Sequence, residues 1–518
     1  MGIRGCDQIR GSTLHSLGMR ILSRRNVLAT TGRIARPLNR FEIDPLLYDL
    51  PSELGGKRQK EKRMRAYEAA WARLQHEEPG FAQNAQDRAF ERSLVDWLRF
   101  HEGMLVGEII PELYRYMRNN PVAPERALYD HLLVDEYQGL NKAEQALIDL
   151  LTGDASLCVV GDDDQSLYSF KHAHPEGIRT FSATHLGASD HQLLECHRCP
   201  TRIVEIANSL IAHNQDREPR ELVSVPAKGP GEIYILQFEN VPNEAARIAA
   251  FVDDQINNRG RQPGDILVLA QRRVIGNPIH DALRARGIPS KCYYQENELD
   301  NEVAQERLAI FKLFVNRHDR IALRWLLGLG SDDFRRGAYA RVRTHCEQTG
   351  EVPWDVLSKL TSGELSMPHC GYLVERFHAI QNELRFLEDH DGVQDFVSRW
   401  LRAEFVRAGE LRLLVAGILP EAETPEDLLS KIVEMVSQPE IPPDVTEVRV
   451  MSLHKSKGLR GLPCTLPTAA EWRRTGASAI SAALAYWGPR RGTDRQMIEG
   501  NSGVWHTTSI RCPSGSRT

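Results

Sequence analysis

Short apolar runs ending in polar, carboxylate-rich turns recur from residue 131 onward: HLLVDEYQ at 131–138, SLCVVGDDDQ at 156–165, GEIYILQF at 231–238 and PGDILVLA at 263–270. Between them, NKAEQALIDLL (141–151), TRIVEIANSLIAH (201–213) and VPNEAARIAAFVDDQI (241–256) repeat their apolar positions every three or four residues, which predicts helices. Continuous apolar strands alternating with helices predict parallel sheets covered on both faces, an α/β architecture. Two long stretches break the alternation. Residues 57–118 read as helical, with Trp71, Leu74, Phe90, Leu94, Trp97 and Leu98 at helical spacing behind a basic opening, KRQKEKRMR. That opening is either a solvated helix face or a patch that contacts DNA. Residues 301 to about 436 also read as helical (VAQERLAIFKLFV, RIALRWLLGL, VQDFVSRWLRAEFV), before strand-like TEVRVMSLH resumes at 446. This predicts a helical insertion between two halves of one sheet domain.

The tail from about 462 has a different texture. Between 471 and 518 there are seven arginines, no lysine, three of the eight tryptophans and eleven serines or threonines, without clear periodicity. No regular structure is expected there. The remaining composition is that of a folded protein, 41% apolar and 26% charged over 518 residues, enough for several domains. A net charge of −5 carries no global polyanion signature, so a nucleic-acid site has to be local. No apolar run approaches the length of a membrane span, and the N-terminus has no signal-type apolar core, so a cytosolic protein with no membrane partner is expected. Nine scattered cysteines read as reduced thiols. The one CxxC, Cys196 to Cys199, lacks a second pair at zinc-finger spacing.

The chemistry concentrates at two strand ends. The run 131–134 delivers Asp135 and Glu136 to the C-terminal end of a strand, where open α/β sheets bind ligands. A Mg-nucleotide site needs one carboxylate for the metal and a neighbour to take a proton from the attacking water. A strand end entering a turn would look the same. Gly161, twenty-six residues past Asp135, opens a second turn, and its lack of a side chain is expected to allow a sharp bend. The following acidic triplet repels phosphate, which leaves the neutral Gln165 as the phosphate sensor. Tyr168 and Phe170, beside Lys171, either stack on single-stranded bases or pack below the turn.

VDEYQ followed by VVGDDDQSLYSFKHA resembles the second and third motifs of the UvrD/Rep-type superfamily 1 DNA helicases. Further matches fall in that family's order. GSTLHSLGMRIL (11–22) resembles the early DNA-contacting motif, with His15 and Ser16 in its core. LLECHRCPTRIVEIANSLI (193–211) is similar to the fourth motif and VRVMSLHKSKGL (448–459) to the fifth. The resemblance implies two RecA-like motor domains of the P-loop NTPase type, each with a helical insertion, with ATP and Mg2+ as cofactors. It makes Asp135 the Mg ligand, Glu136 the general base, Gln165 the γ-phosphate sensor and Arg198 an arginine finger. His454 and Lys457 would relay nucleotide state to the DNA track, Lys457 on the nucleotide side. His15, Ser16, Tyr168, Phe170 and Lys171 would meet DNA. Implied partners are single-stranded DNA or duplex junctions, together with repair proteins.

The implied map runs from a remnant of the first motor (1–22) through a helical insertion (23–118) to the first motor with motifs two and three (119–190). The second motor with motif four follows (191–300), then a second insertion (301–445), a return strand with motif five (446–461) and an aberrant tail (462–518). Three features depart from the family pattern. No GxxxxGK[ST] occurs in the 518 residues. Gly139, His197 and Arg460 stand where an aspartate, a tyrosine and a glutamate are usual. No sixth motif follows Arg460. These departures lead to the expectation of a shortened N-terminus and a frameshifted or misassembled C-terminus. The implied function is ATP-driven 3′ to 5′ movement on DNA in repair or recombination; the alternative is a catalytically inactive DNA-binding or partner-binding relic.

Overall fold

A computed structural model describes residues 9–77, 84–166, 172–214, 217, 219–293, 299, 301–437, 445–452, 456, 464–468 and 481–487. The chain divides into two units, residues 1–186 with 297–438, and 187–296 with 439–518. Among the described residues no helix is long and apolar enough to cross a membrane.

The first unit contains a two-stranded parallel sheet, β1 (His131–Val134) beside β2 (Ser156–Val159), paired in register from His131–Ser156 to Val134–Val159. The connecting helix Lys142–Thr152 starts where predicted. Asn141 caps it by accepting the Glu144 N–H, and Glu144 returns the bond to the Asn141 N–H, a reciprocal capping box. Its apolar face packs with helices Leu14–Leu22 and Ile109–Asn119 around Ile21, Leu22, Leu113, Met117, Leu147 and Leu151. The expectation of a sheet covered on both faces needs correction. Both strands alternate exposed and half-buried residues, and Leu133 is 78% exposed. Among the described residues, helices pack on one face only.

The stretches read as helical are helical: Lys57–Ala72, Ala85–Phe100 and Ile109–Asn119 in the first, then eight α-helices from Glu302–Val315 to Pro425–Ser437 in the second. Helix Gly392–Trp400 ends before the apolar pattern does, and just beyond it Arg412 donates to the carbonyls of Leu401 and Arg402. In sequence, residues 301–437 interrupt the second sheet. In space they pack in the first unit, against helices Ile43–Asp49 and Ala85–Phe100. Three polar contacts fasten that joint. Arg36 and Lys312 flank Glu42, with Asp319 also on Arg36. Arg324 forks onto Asp49 at 2.6 and 2.8 Å. His101 meets the Tyr339 hydroxyl at 3.1 Å.

The second unit holds β3 (Glu195–Cys196) parallel to β4 (Val223–Ser224) and a six-stranded sheet. That sheet consists of β5 (Glu232–Phe238), β6 (Leu267–Leu269), β7 (Ser290–Cys292), β8 (Val448–Met451), β9 (Cys464–Thr468) and β10 (Ser481–Trp487), in the order β5-β10-β9-β6-β8-β7. Strands β7, β8, β6 and β9 run parallel, while β10 is antiparallel to both neighbours. Helices Val241–Asn257 and Arg273–Ala285 cover one face through Ile248, Val252, Ile279 and Leu283. Strands β9 and β10 depart from the expected lack of regular structure beyond 462. The main chain of SAALAYW pairs with β5 on one side and β9 on the other, although its sequence has no period-two alternation to announce a strand.

Candidate functional site

Strand β1 ends in the predicted carboxylate pair. Asp135 is exposed and its Oδ1 accepts the Glu136 N–H at 2.8 Å. Glu136 lies in the left-handed region, φ 56° and ψ 35°, which costs a residue with a side chain roughly 1–2 kcal/mol. Such torsions persist only where the surroundings impose them, and they concentrate at active sites. Here the imposition is visible. The Tyr137 N–H donates to the Val160 carbonyl at 3.0 Å, and the Tyr137 ring is buried edge-on against Phe181. Burial pushes the Tyr137 hydroxyl pKa above its ordinary value.

Gln138 joins the two motifs, a role the sequence alone did not assign. It is 1% exposed; its Nε2 donates to Glu136 Oε2 at 2.8 Å and its Oε1 accepts the Asp162 N–H at 3.0 Å. Gly161 is needed for a different reason from the one expected. It is not among the glycines with positive φ; instead, a Cβ there would stand 2.4 Å from Gln138 Oε1 and 2.6 Å from Ile178 Cδ1. The constraint is close approach, not a sharp bend.

The turn Asp163–Gln165 absorbs its own charges. Asp162 caps it, accepting the Asp164 N–H at 3.1 Å and Gln165 Nε2 at 2.7 Å, while Asp163 is pinned by Arg179 Nε at 2.9 Å. The three carboxylates offer oxygens within 4.8 Å of one another. The exposed Gln165 side chain, expected to sense phosphate, is turned onto Asp162.

Two early residues reach the same neighbourhood. Thr13 caps helix Leu14–Leu22 by accepting the Ser16 N–H, and its hydroxyl donates to Ser16 Oγ at 3.0 Å. His15 Nδ1 lies 3.7 Å from Glu144. Leu14 packs in one cluster with Val134, Tyr137, Val159 and Phe181. Arg198 belongs to the second unit, exposed on the loop between β3 and helix Thr201–Ile211. Tyr168, Phe170, Lys171, His454 and Lys457 lie outside the described residues. The basic opening of helix Lys57–Ala72 is partly structural: buried Lys60 donates to the carbonyls of Leu47 and Leu50, and Arg63 to that of Leu54.

An apolar strand thus presents two carboxylates and is coupled through a buried amide to an acidic turn on its neighbour, at the C-terminal end of a parallel sheet, where open α/β sheets bind ligands. The UvrD/REP helicase N-terminal domain matches residues 2–185, and the UvrD-like helicase C-terminal domain matches residues 192–345. The chain belongs to the UvrD/Rep family of DNA helicases. It is 26% identical over 332 residues to the ATP-dependent DNA helicase UvrD1 of Mycobacterium leprae, covering 60% of this chain and 41% of that protein. It is 24% identical over 438 residues to DNA helicase II of Haemophilus influenzae, covering 77% of this chain and 59% of that protein. With the ATP-dependent DNA helicase PcrA of Staphylococcus epidermidis it shares 23% identity over 298 residues, 56% of this chain and 39% of that protein. The chain thus spans between 39% and 59% of the length of these relatives.

Proposed function

We propose that this chain carries the carboxylate, sensor and DNA-contacting parts of a cytosolic ATP-driven DNA helicase or translocase of the kind that moves 3′ to 5′ on single-stranded DNA or at duplex junctions, in repair or recombination. Its two units would be RecA-like motors. The observation that carries this reading is the turn after β1, where Asp135 is exposed, Glu136 is held in a left-handed backbone, and Gln138 ties Glu136 to the Asp162 turn. Exposed carboxylate oxygens suit a hard divalent cation. Mg-ATP, when bound, supplies the phosphoanhydride whose cleavage drives movement. Asp135 would hold the cation, and Glu136, its Oε2 oriented by Gln138, would take the proton from the attacking water. Gln165 leaves Asp162 to meet the γ-phosphate, and Arg198 offsets the charge that develops there. Lys457 and His454 relay the state of the site, and His15, Ser16, Tyr168, Phe170 and Lys171 contact DNA.

Fluorescence anisotropy with a labelled single-stranded oligonucleotide tests the DNA side. Changing Tyr168 or Phe170 to alanine should weaken binding by about 1–3 kcal/mol. Unchanged affinity in both variants, with circular dichroism intact, would assign these rings to packing. A second reading, a DNA-binding or partner-binding relic without hydrolysis, is favoured by one sequence fact: the 518 residues contain no GxxxxGK[ST] phosphate loop. DNA-stimulated ATP turnover that disappears in Glu136→Gln would exclude it.

A further inference from the structure

Two thiols that the nucleotide chemistry does not use face each other in the second unit. Cys196 ends β3, and Cys199 precedes Pro200, the residue that caps helix Thr201–Ile211. The Cys199 N–H donates to Cys196 Sγ at 3.4 Å, three residues apart in the chain. Both cysteines are free and half-buried. The main chain is therefore already folded so that one sulfur rests on the other's backbone, the arrangement from which a Cys-x-x-Cys pair closes with little movement.

The surroundings divide the labour between the two sulfurs. Burial, then the neighbouring Cys196, pushes the Cys199 thiol up to about 11, against the pull of Arg198 and Lys228. Cys199 therefore stays protonated near neutral pH, the state a resolving thiol holds until a mixed disulfide has formed on its partner. Between them, His197 and Arg198 are exposed, with His197 3.3 Å from Glu195. A bond between Cys196 and Cys199 would enclose both residues in one small ring.

We propose that Cys196 and Cys199 are a redox-active dithiol that exchanges with low-molecular-weight disulfides of the glutathione type, and that its closure restrains Arg198. The thiolate of Cys196 attacks one sulfur of glutathione disulfide, forming a mixed disulfide and releasing one glutathione thiolate. Cys199 gives up its proton and displaces the second glutathione from Cys196. Two protein thiols are oxidised to one disulfide, one glutathione disulfide is reduced to two thiols, and the two protons pass to the departing thiolates. The effect on ATP turnover rests on the reading of Arg198 as a finger; the exchange itself does not.

The test uses the whole chain treated with oxidised glutathione, alkylated, and digested with trypsin without reductant. Trypsin cuts after Arg179, Arg198 and Arg202, so closure leaves peptides 180–198 and 199–202 joined, two hydrogens lighter than their sum. Excess reduced glutathione should separate them. Cys199→Ser should trap glutathione on Cys196, while Cys196→Ser should leave Cys199 open to alkylation. Brief trypsin treatment of the folded protein should cut after Arg198 several-fold more slowly once the pair is oxidised. Both cysteines alkylated after oxidation, or glutathione retained on both without a linked pair, would overturn the exchange; an unchanged cleavage rate at Arg198 would overturn the restraint. None of these readouts requires ATP hydrolysis, so they stand or fall apart from the helicase reading.

Discussion

Gly161 and His101 each depend on what stands opposite them. A methyl group at 161 would meet the Gln138 amide and Ile178, so Gly161→Ala has to push Gln138 off Glu136 or off the Asp162 N–H. Overpacking of this kind costs about 1–3 kcal/mol, which should appear as a lower urea midpoint. An unchanged midpoint would mean that the bridge can shift without cost. His101 is buried, with Nδ1–H donating to the Trp97 carbonyl and Nε2 accepting from Tyr339. Burial, with Arg343, Arg324 and Arg320 nearby, holds its pKa well below 6.5. The folded protein therefore keeps the ring neutral while the unfolded chain protonates it. The stability this contributes is present above pH 6.5 and is lost as the pH falls below that value. His101→Gln should flatten the fall in melting temperature between about pH 7.5 and 5.5. An equally steep fall in that variant would assign the acid sensitivity elsewhere. Neither dependence was legible in the sequence, because each is a distance between residues far apart in the chain. Asp135 and Glu136 were legible, since the end of an apolar run marks their place along the chain.

At the scale of elements, period and length identified the helices, whereas their partners were out of reach. The pattern marked 301–436 as helical and inserted, but the side chains that fasten this segment to the first unit are polar. Arg324 is fully buried, forks onto Asp49, and lies 4.3 Å from the centre of the Tyr339 ring; Asp49 also accepts Trp97 Nε1 at 2.9 Å. Hydrophobic periodicity does not register an arginine on the inner face of a helix. Removing one member of such a pair strands the other charge, so Arg324→Leu should cost about 3–5 kcal/mol in urea unfolding. Asp49→Asn together with Arg324→Leu should recover much of that loss, since the amide still accepts from Trp97 and no lone charge remains. Equal losses in the single and double variants would show that packing, rather than charge, holds the joint. Glu42 works by the same logic. Burial pushes it up, but Arg36 and Lys312 outweigh burial and bring it down to about 2, so its contribution is lost only as the pH falls from 4.5 toward that value.

For the whole molecule, the question is whether Asp135, Glu136, Gln165 and Arg198 suffice for turnover. Phosphoryl transfer is catalysed almost entirely by positioning and charge stabilisation. Carboxylates, an amide and an arginine act on a γ-phosphate that something else has to hold. In P-loop enzymes that holder is a nest of backbone N–H groups with a lysine, and the pattern that encodes it does not occur in these 518 residues. Among the described groups Gln165 pairs with Asp162 and Asp163 with Arg179, so each would have to leave a partner to meet a phosphate. The polypeptide of these 518 residues should therefore hydrolyse ATP slowly or not at all, with or without single-stranded DNA. A version extended at its N-terminus with a family phosphate loop, and given a sixth motif after residue 460, should gain DNA-stimulated turnover. That turnover should fall by orders of magnitude in Glu136→Gln, because the proton from the attacking water then has no acceptor. DNA-stimulated hydrolysis by the unextended chain, abolished by the same substitution, would show that the β- and γ-oxygens are held by groups other than a phosphate loop.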